Sequence, residues 1–182
     1  MMNKHLLILL LACIAFSCKS PEARLPKSVK SGSFINASVE RNIKLNQIEH
    51  DFIEAHIAKD TLNTYEASES GFWYYYNTKI TQDTITAKFG DIVNFDYNVK
   101  ALNGAQIYSD EDIAPRDYAM DKEELFTGLR EGLKLMKPGE TVTFLFPSQK
   151  AYGYYGDEDK IGINTPLICK VTVYTIRQNL NN

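Results

Sequence analysis

The side chains with most to offer chemically lie in one loop-like stretch. PSQKAYGYYG at 147–156 crowds Tyr152, Tyr154 and Tyr155 beside two glycines. Exposed loops are normally small and polar. So much aromatic surface points either to packing back on a sheet or to one wall of a binding pocket. A tyrosine offers a flat apolar face and a hydroxyl that donates a hydrogen bond, which is chemistry for holding and orienting a ligand. The parts for nucleophilic or metal chemistry are missing. His5, His50 and His56 do not group with Cys or Asp at metal-ligand spacing, so no metal and no cofactor is expected. Cys169 is the one thiol beyond the N-terminal region, and it reads as a small apolar filler. No Ser–His pair and no paired carboxylates are evident.

The loop is held between two strand-like runs, TVTFLFP and LICKVTVYTI. Their apolar residues recur at period two: Val142, Phe144 and Phe146, then Leu167, Cys169, Val171 and Val173. GFWYYYNTKI sends Phe72, Tyr74 and Tyr76 one way and Trp73 and Tyr75 the other. GDIVNFDYNVKAL sets Val93, Phe95, Tyr97 and Val99 against Ile92, Asn94, Asp96 and Asn98. This is the pattern of half-buried antiparallel strands. Gly90–Asp91 and Asn103–Gly104 mark turns. DKEELFTGLREGLKLMKPGE departs from it. Leu125, Leu129, Leu133 and Met136 fall at helical spacing, Asp121 is placed to cap, and Lys137-Pro138-Gly139 ends the run. Gly128 and Gly132 would let this helix approach the sheet closely. The expected fold class is α+β: a curled antiparallel β-sheet wrapped around one short α-helix.

Ahead of that domain, residues 42–64 carry apolar positions at three- and four-residue spacing (Leu45, Ile48, Phe52, Ile53, Ala55, Ile57). They read as an amphipathic helical extension. Residues 65–178 form the domain, and a chain starting near Tyr65 is expected to fold by itself. Residues 18–41 mix Ser, Lys and Pro and read as a tether. Residues 1–17 read as a secretory signal: Lys4 and His5 precede LLILLLA, too short to span a bilayer. AFSC resembles a bacterial lipobox, with Phe16 out of pattern. LLAC, ending at Cys13, fits locally but leaves an apolar core of only about 7 residues. Cys18 is the expected lipidation site, and a multi-chain lipid anchor would hold the protein on a membrane. Net charge is −3 with no basic patch, which argues against nucleic acid as a partner.

Five ordered blocks carry a family resemblance. They are Gly90–Tyr97, Leu102–Gly104, LFTGLREGLKLMKPGE, AYG at 151–153, and Pro166-Leu167 with VTVYTI. In order and spacing they resemble the FKBP-type peptidyl-prolyl isomerases over about residues 71–177. SGFWYYY, GLREGLKLM and PSQKAYGYYGD resemble most closely the FKBP-like lipoproteins associated with gliding motility. The resemblance implies a rotamase that helps envelope or secreted proteins fold. Its partners would be proline-containing polypeptides, the membrane reached through the lipid anchor, and components of an envelope or motility assembly. With the expected lipid anchor it implies the cell envelope, facing the periplasm, and Lys19 after the lipid Cys, in place of an Asp that would suggest retention, leans to the outer membrane. The alternative is a prolyl-peptide-binding or scaffold lipoprotein without catalysis.

The resemblance also assigns roles. Tyr97 and Tyr152 would be catalytic, with Tyr152 donating its hydroxyl to the ligand carbonyl. Leu125 and Phe126 would close the pocket, the Phe126 amide being a ligand donor, and Ile161 would be a wall residue. Departures from the family pattern fall at Ile107 (for a Phe), Tyr108 (for an Asp), Leu129 (for the floor tryptophan) and Cys169 (for a rear aromatic). All four are expected around the substrate. Arg116 and Tyr118 stand at two further aromatic positions. Turning an X–Pro bond breaks nothing; it crosses a barrier of about 18–20 kcal/mol. An apolar cleft disfavours the polar planar amide, and a few donors hold the twisted carbonyl.

Overall fold

The computed structural model describes residues 31–82 and 85–179, with side chains from residue 35 onward. The proposed signal 1–17, Cys18 and residues 18–30 of the tether lie outside the described residues. Cα proximity divides the chain into Met1–Ser38 and Val39–Asn182. The described residues of the first unit form the start of helix α1, Ser31–Lys59. The second holds the rest of α1, the whole sheet and helix α2, Thr127–Leu133.

The strands are β1 (Glu66–Ala67), β2 (Trp73–Thr78), β3 (Ile92–Tyr97), β4 (Val99–Ala101), β5 (Gln106–Tyr108), β6 (Arg116–Ala119), β7 (Thr141–Phe146) and β8 (Leu167–Arg177). They form one eight-stranded antiparallel sheet in the order β1-β2-β7-β8-β3-β6, and β4 bridges β8 to β5. The α+β fold expected from the sequence is therefore present. β8 is long enough to pair with β3 along one half and β4 along the other. The break falls at Asn98, whose amide donates to the Lys170 carbonyl while its side-chain oxygen accepts from the Lys170 amide. Asn103–Gly104 closes the β4–β5 hairpin, with Gly104 at φ +86°, where a side chain would be strained.

The period-two residues meet on one face. Phe95 lies opposite Val173, Phe144 opposite Cys169 and Phe146 opposite Leu167, and all are buried around Leu129, Leu133 and Met136. α2 lies on the sheet through its two glycines. A Cβ at Gly128 would come within 2.5 Å of Phe146 and 2.7 Å of the Lys150 carbonyl, and one at Gly132 within 3.0 Å of Phe144. Gly128→Ala is therefore expected to cost about 1–3 kcal/mol by overpacking, more than the roughly 1 kcal/mol gained in helix propensity. Chemical denaturation should show it, and a stabilised Gly128→Ala would contradict the close approach.

Three expectations are revised. α2 is shorter than its apolar stripe suggested. Asp121 does not cap it but sits at φ +60°, pairing with Arg130 and Lys134, and Phe126 occupies the N-cap position. α1 begins at Ser31, inside the segment read as tether. β7 is buried on both faces, not one. Leu145 pairs across from Trp73, and Thr143 is buried as well. α1 packs on that second face: Ile53 and Glu49 are buried, and His50 meets the edge of Trp73 at 4.8 Å. Among the described residues no helix is long and apolar enough to cross a membrane.

Candidate functional site

Beyond β7 the chain enters a 3-10 turn, Ser148–Lys150, introduced by Pro147. The Ser148 carbonyl accepts from both Ala151 and Gly153, at 2.9 and 2.8 Å, so one acceptor holds the amides on either side of Tyr152. The Tyr152 ring lies 5.2 Å from Phe126, and Phe126 meets Phe146 edge-on at 5.4 Å. Tyr97, at the end of β3, stacks on Phe95.

These residues open into one cleft of about 480 Å³, lined by Tyr97, Leu125, Phe126 and Tyr152, with Arg116, Glu123, Glu124 and Arg130 at its rim. The Phe126 amide, at the N-terminal boundary of α2, has no acceptor among the described residues. Burial pushes the Tyr97 phenol well above the usual tyrosine range. Tyr152 adds to this and Arg116 opposes it. Burial raises Tyr152 as well. A raised phenol stays protonated, so both hydroxyls remain donors through neutral and mildly alkaline pH.

Five of the residues singled out in the sequence, Tyr97, Arg116, Leu125, Phe126 and Tyr152, thus share the cleft. The others take different places. Leu129 and Cys169 are fully buried beneath it, with no surface for a ligand. Burial raises the Cys169 thiol far above its ordinary range, which keeps it neutral and apolar. Ile161 is buried in the core, and Ile107 and Tyr108 pack against that core without lining the cleft. The Tyr108 hydroxyl donates to Asp157 at 2.5 Å and Asp159 at 3.2 Å. Asp157 also accepts the Ile161 amide at 2.7 Å. Tyr108 therefore braces the tyrosine loop from outside. Tyr154 and Tyr155 stand exposed at the loop tip, their rings 5.5 Å apart.

The charged rim of Glu123, Glu124 and Arg130 escaped the sequence reading, because a charge next to an amphipathic helix looks like any solvated face. So did one further grouping. On the exposed side of α1, ligand atoms of His50, Asp51 and Glu54 lie within 4.8 Å of one another. His50 and Glu54 are a helical i, i+4 pair, 3.5 Å apart.

Comparisons with known proteins bear on the family and the fold. A family model described as FKBP-type peptidyl-prolyl cis-trans isomerase matches residues 83–174. The chain is 30% identical over 125 residues to the probable FKBP-type peptidyl-prolyl cis-trans isomerase FkpA of Neisseria meningitidis serogroup B, covering 69% of this chain and 44% of that protein. It is 35% identical over 72 residues to the peptidyl-prolyl cis-trans isomerase FKBP10 of Bos taurus, covering 39% of this chain and 12% of the relative. The chain spans less than half the length of either curated relative. Among solved structures, a peptidyl-prolyl cis-trans isomerase from Pseudomonas syringae pv. tomato superposes with a TM-score of 0.60 at 21% identity, covering 74% of this chain and 95% of that one. FkpA from Escherichia coli superposes with a TM-score of 0.58 at 19% identity, covering 97% and 83%. At these identities the two structures support the fold.

Proposed function

Because this chain belongs to the family of FKBP-type peptidyl-prolyl cis-trans isomerases, we propose that its cleft binds a prolyl residue of a polypeptide and turns the preceding peptide bond. The observation that carries this reading is the convergence of two neutral tyrosine hydroxyls and the Phe126 ring and amide on one cleft. The prolyl ring sits against Leu125 and Phe126. The apolar wall disfavours the resonance-stabilised planar amide, and the Tyr152 hydroxyl or the Phe126 amide donates to the carbonyl as it rotates. Tyr97 holds the adjacent hydroxyl in place. No covalent bond is made or broken.

The protein acts in the cell envelope, lipidated on Cys18, tethered to the outer membrane and facing the periplasm. There it assists the folding of envelope or secreted proteins. The resemblance of SGFWYYY, GLREGLKLM and PSQKAYGYYGD to gliding-motility lipoproteins supports a place in such an assembly.

The test is a protease-coupled prolyl-peptide assay on wild type and Tyr152→Phe, with melts in parallel. Removing one hydroxyl is expected to leave the fold intact. It should lower kcat/KM by about 2- to 13-fold, the equivalent of one hydrogen bond of about 0.5–1.5 kcal/mol. Equal rates in the two proteins would remove Tyr152 from the mechanism. The pH profile follows from the raised phenols. Deprotonation destroys the donor, and an upward shift delays it, so the rate should be flat from about pH 6 to 9. A rate falling through that window would mean that some other group titrates in the mechanism.

A second reading, a prolyl-peptide-binding scaffold without turnover, is favoured by the cleft floor. Leu129 lies there fully buried, so the cleft has no aromatic floor at that position. Prolyl-peptide binding with no rate above background would select it.

A further inference from the structure

Ser148 begins the 3-10 turn, and its backbone N–H is one that the turn itself cannot satisfy. Pro147 supplies no side-chain cap. The acceptor comes instead from α1, 99 residues earlier in the chain. One Glu49 carboxylate oxygen accepts the Ser148 amide at 2.8 Å, and the other accepts the Ser148 hydroxyl at 2.7 Å. Both residues are buried, Glu49 to 3% exposure and Ser148 to 2%. A buried carboxylate held by two donors on one residue fixes that residue in position and angle. The Ser148 carbonyl in turn holds the amides of Ala151 and Gly153 on either side of Tyr152. A continuous chain of hydrogen bonds therefore runs from α1 to the backbone flanking the tyrosine in the cleft.

We propose that Glu49 is a positioning residue for Tyr152, so that α1 sets the geometry of the prolyl site without touching it. This rests on the reading of Tyr152 as a donor to substrate. Loss of the carboxylate frees the turn, and the Tyr152 hydroxyl then spends less time where the rotating carbonyl needs it.

The experiment is a double-mutant cycle in the full-length chain, using Glu49→Ala, Tyr152→Phe and the pair, with backbone amide NMR spectra of each. Glu49→Ala is expected to shift the amide resonances of Ala151, Tyr152 and Gly153 and to lower kcat/KM for a prolyl peptide. In the Tyr152→Phe background the same change should cost no more than about twofold, the scatter of independent sites. Equal losses in both backgrounds, no loss in either, or a silent Tyr152→Phe in an active protein would each overturn the proposal. Unmoved amides would do so as well. If wild type shows neither turnover nor prolyl-peptide binding, the proposed function fails, and the clamp is judged by the amides alone: moved supports it, unmoved overturns it. If Glu49→Ala does not fold, Glu49→Gln, which keeps the shape and removes the charge, carries the same comparison.

Discussion

Phe126→Ala is expected to lower kcat/KM for prolyl peptides by roughly 10- to 150-fold while leaving a folded protein. The ring is an apolar wall of the cleft beside Tyr152, packed against Tyr152 at 5.2 Å and Phe146 at 5.4 Å. A side chain of this size contributes about 1.5–3 kcal/mol when it is covered by a partner, and each 1.36 kcal/mol is about tenfold in rate. The change removes the wall and leaves the Phe126 amide and both tyrosine hydroxyls in place. A loss confined to Tyr152→Phe, with Phe126→Ala at the wild-type rate, would mean that hydrogen bonding and not desolvation carries the effect. Because Phe126 is only half-buried, melts should separate lost activity from lost folding.

The second large effect concerns α1. From its sequence, a chain starting near Tyr65 should fold by itself. The contacts of α1 point the other way. Cutting there removes Ile53, fully buried and contributing about 1.5–3 kcal/mol. It also removes the Glu49 carboxylate from two buried donors, where a hydrogen bond to a charged group contributes about 1.5–3 kcal/mol. The outer faces of Trp73 and Leu145 would be uncovered as well. The truncated chain is expected to be less stable by about 3–6 kcal/mol, a large share of the 5–15 kcal/mol typical of a domain. By calorimetry its Tm should fall by more than about 10 °C. A Tm within about 2 °C of the full-length value would mean that the contacts of α1 contribute nothing to the fold.

The sequence was informative where a local pattern has one physical meaning. Val93, Phe95 and Tyr97 alternate because one face of β3 meets the core, and they are buried, as is Val99 at the start of β4; Asn98, assigned by period two to the other side, is buried as well. Gly128 and Gly132 were expected to let the helix approach the sheet closely, and they do so against Phe146 and Phe144. The ordered family blocks led to Tyr97, Leu125, Phe126 and Tyr152. What stayed hidden depends on distant partners. Glu49 looks like any acidic residue on an exposed helix until Ser148 is placed against it. Leu145 looked outward by period two, and it is buried because α1 covers the second face of β7. Asp121 had the spacing of a cap, but a left-handed backbone turns it toward Arg130 and Lys134. Tyr108, at a pocket position in the family order, is drawn away by carboxylates about fifty residues further on, Asp157 and Asp159.

The central claim is that this cleft turns prolyl bonds by enclosure and donation, with no nucleophile. Two-dimensional exchange NMR on a short prolyl peptide, with the full-length chain at a small fraction of the peptide concentration, tests it most directly. Exchange cross-peaks between the cis and trans resonances are predicted with wild type and should fade with Phe126→Ala. Peptide resonances that broaden on binding without cis–trans exchange, or exchange undiminished by Phe126→Ala, would contradict the account.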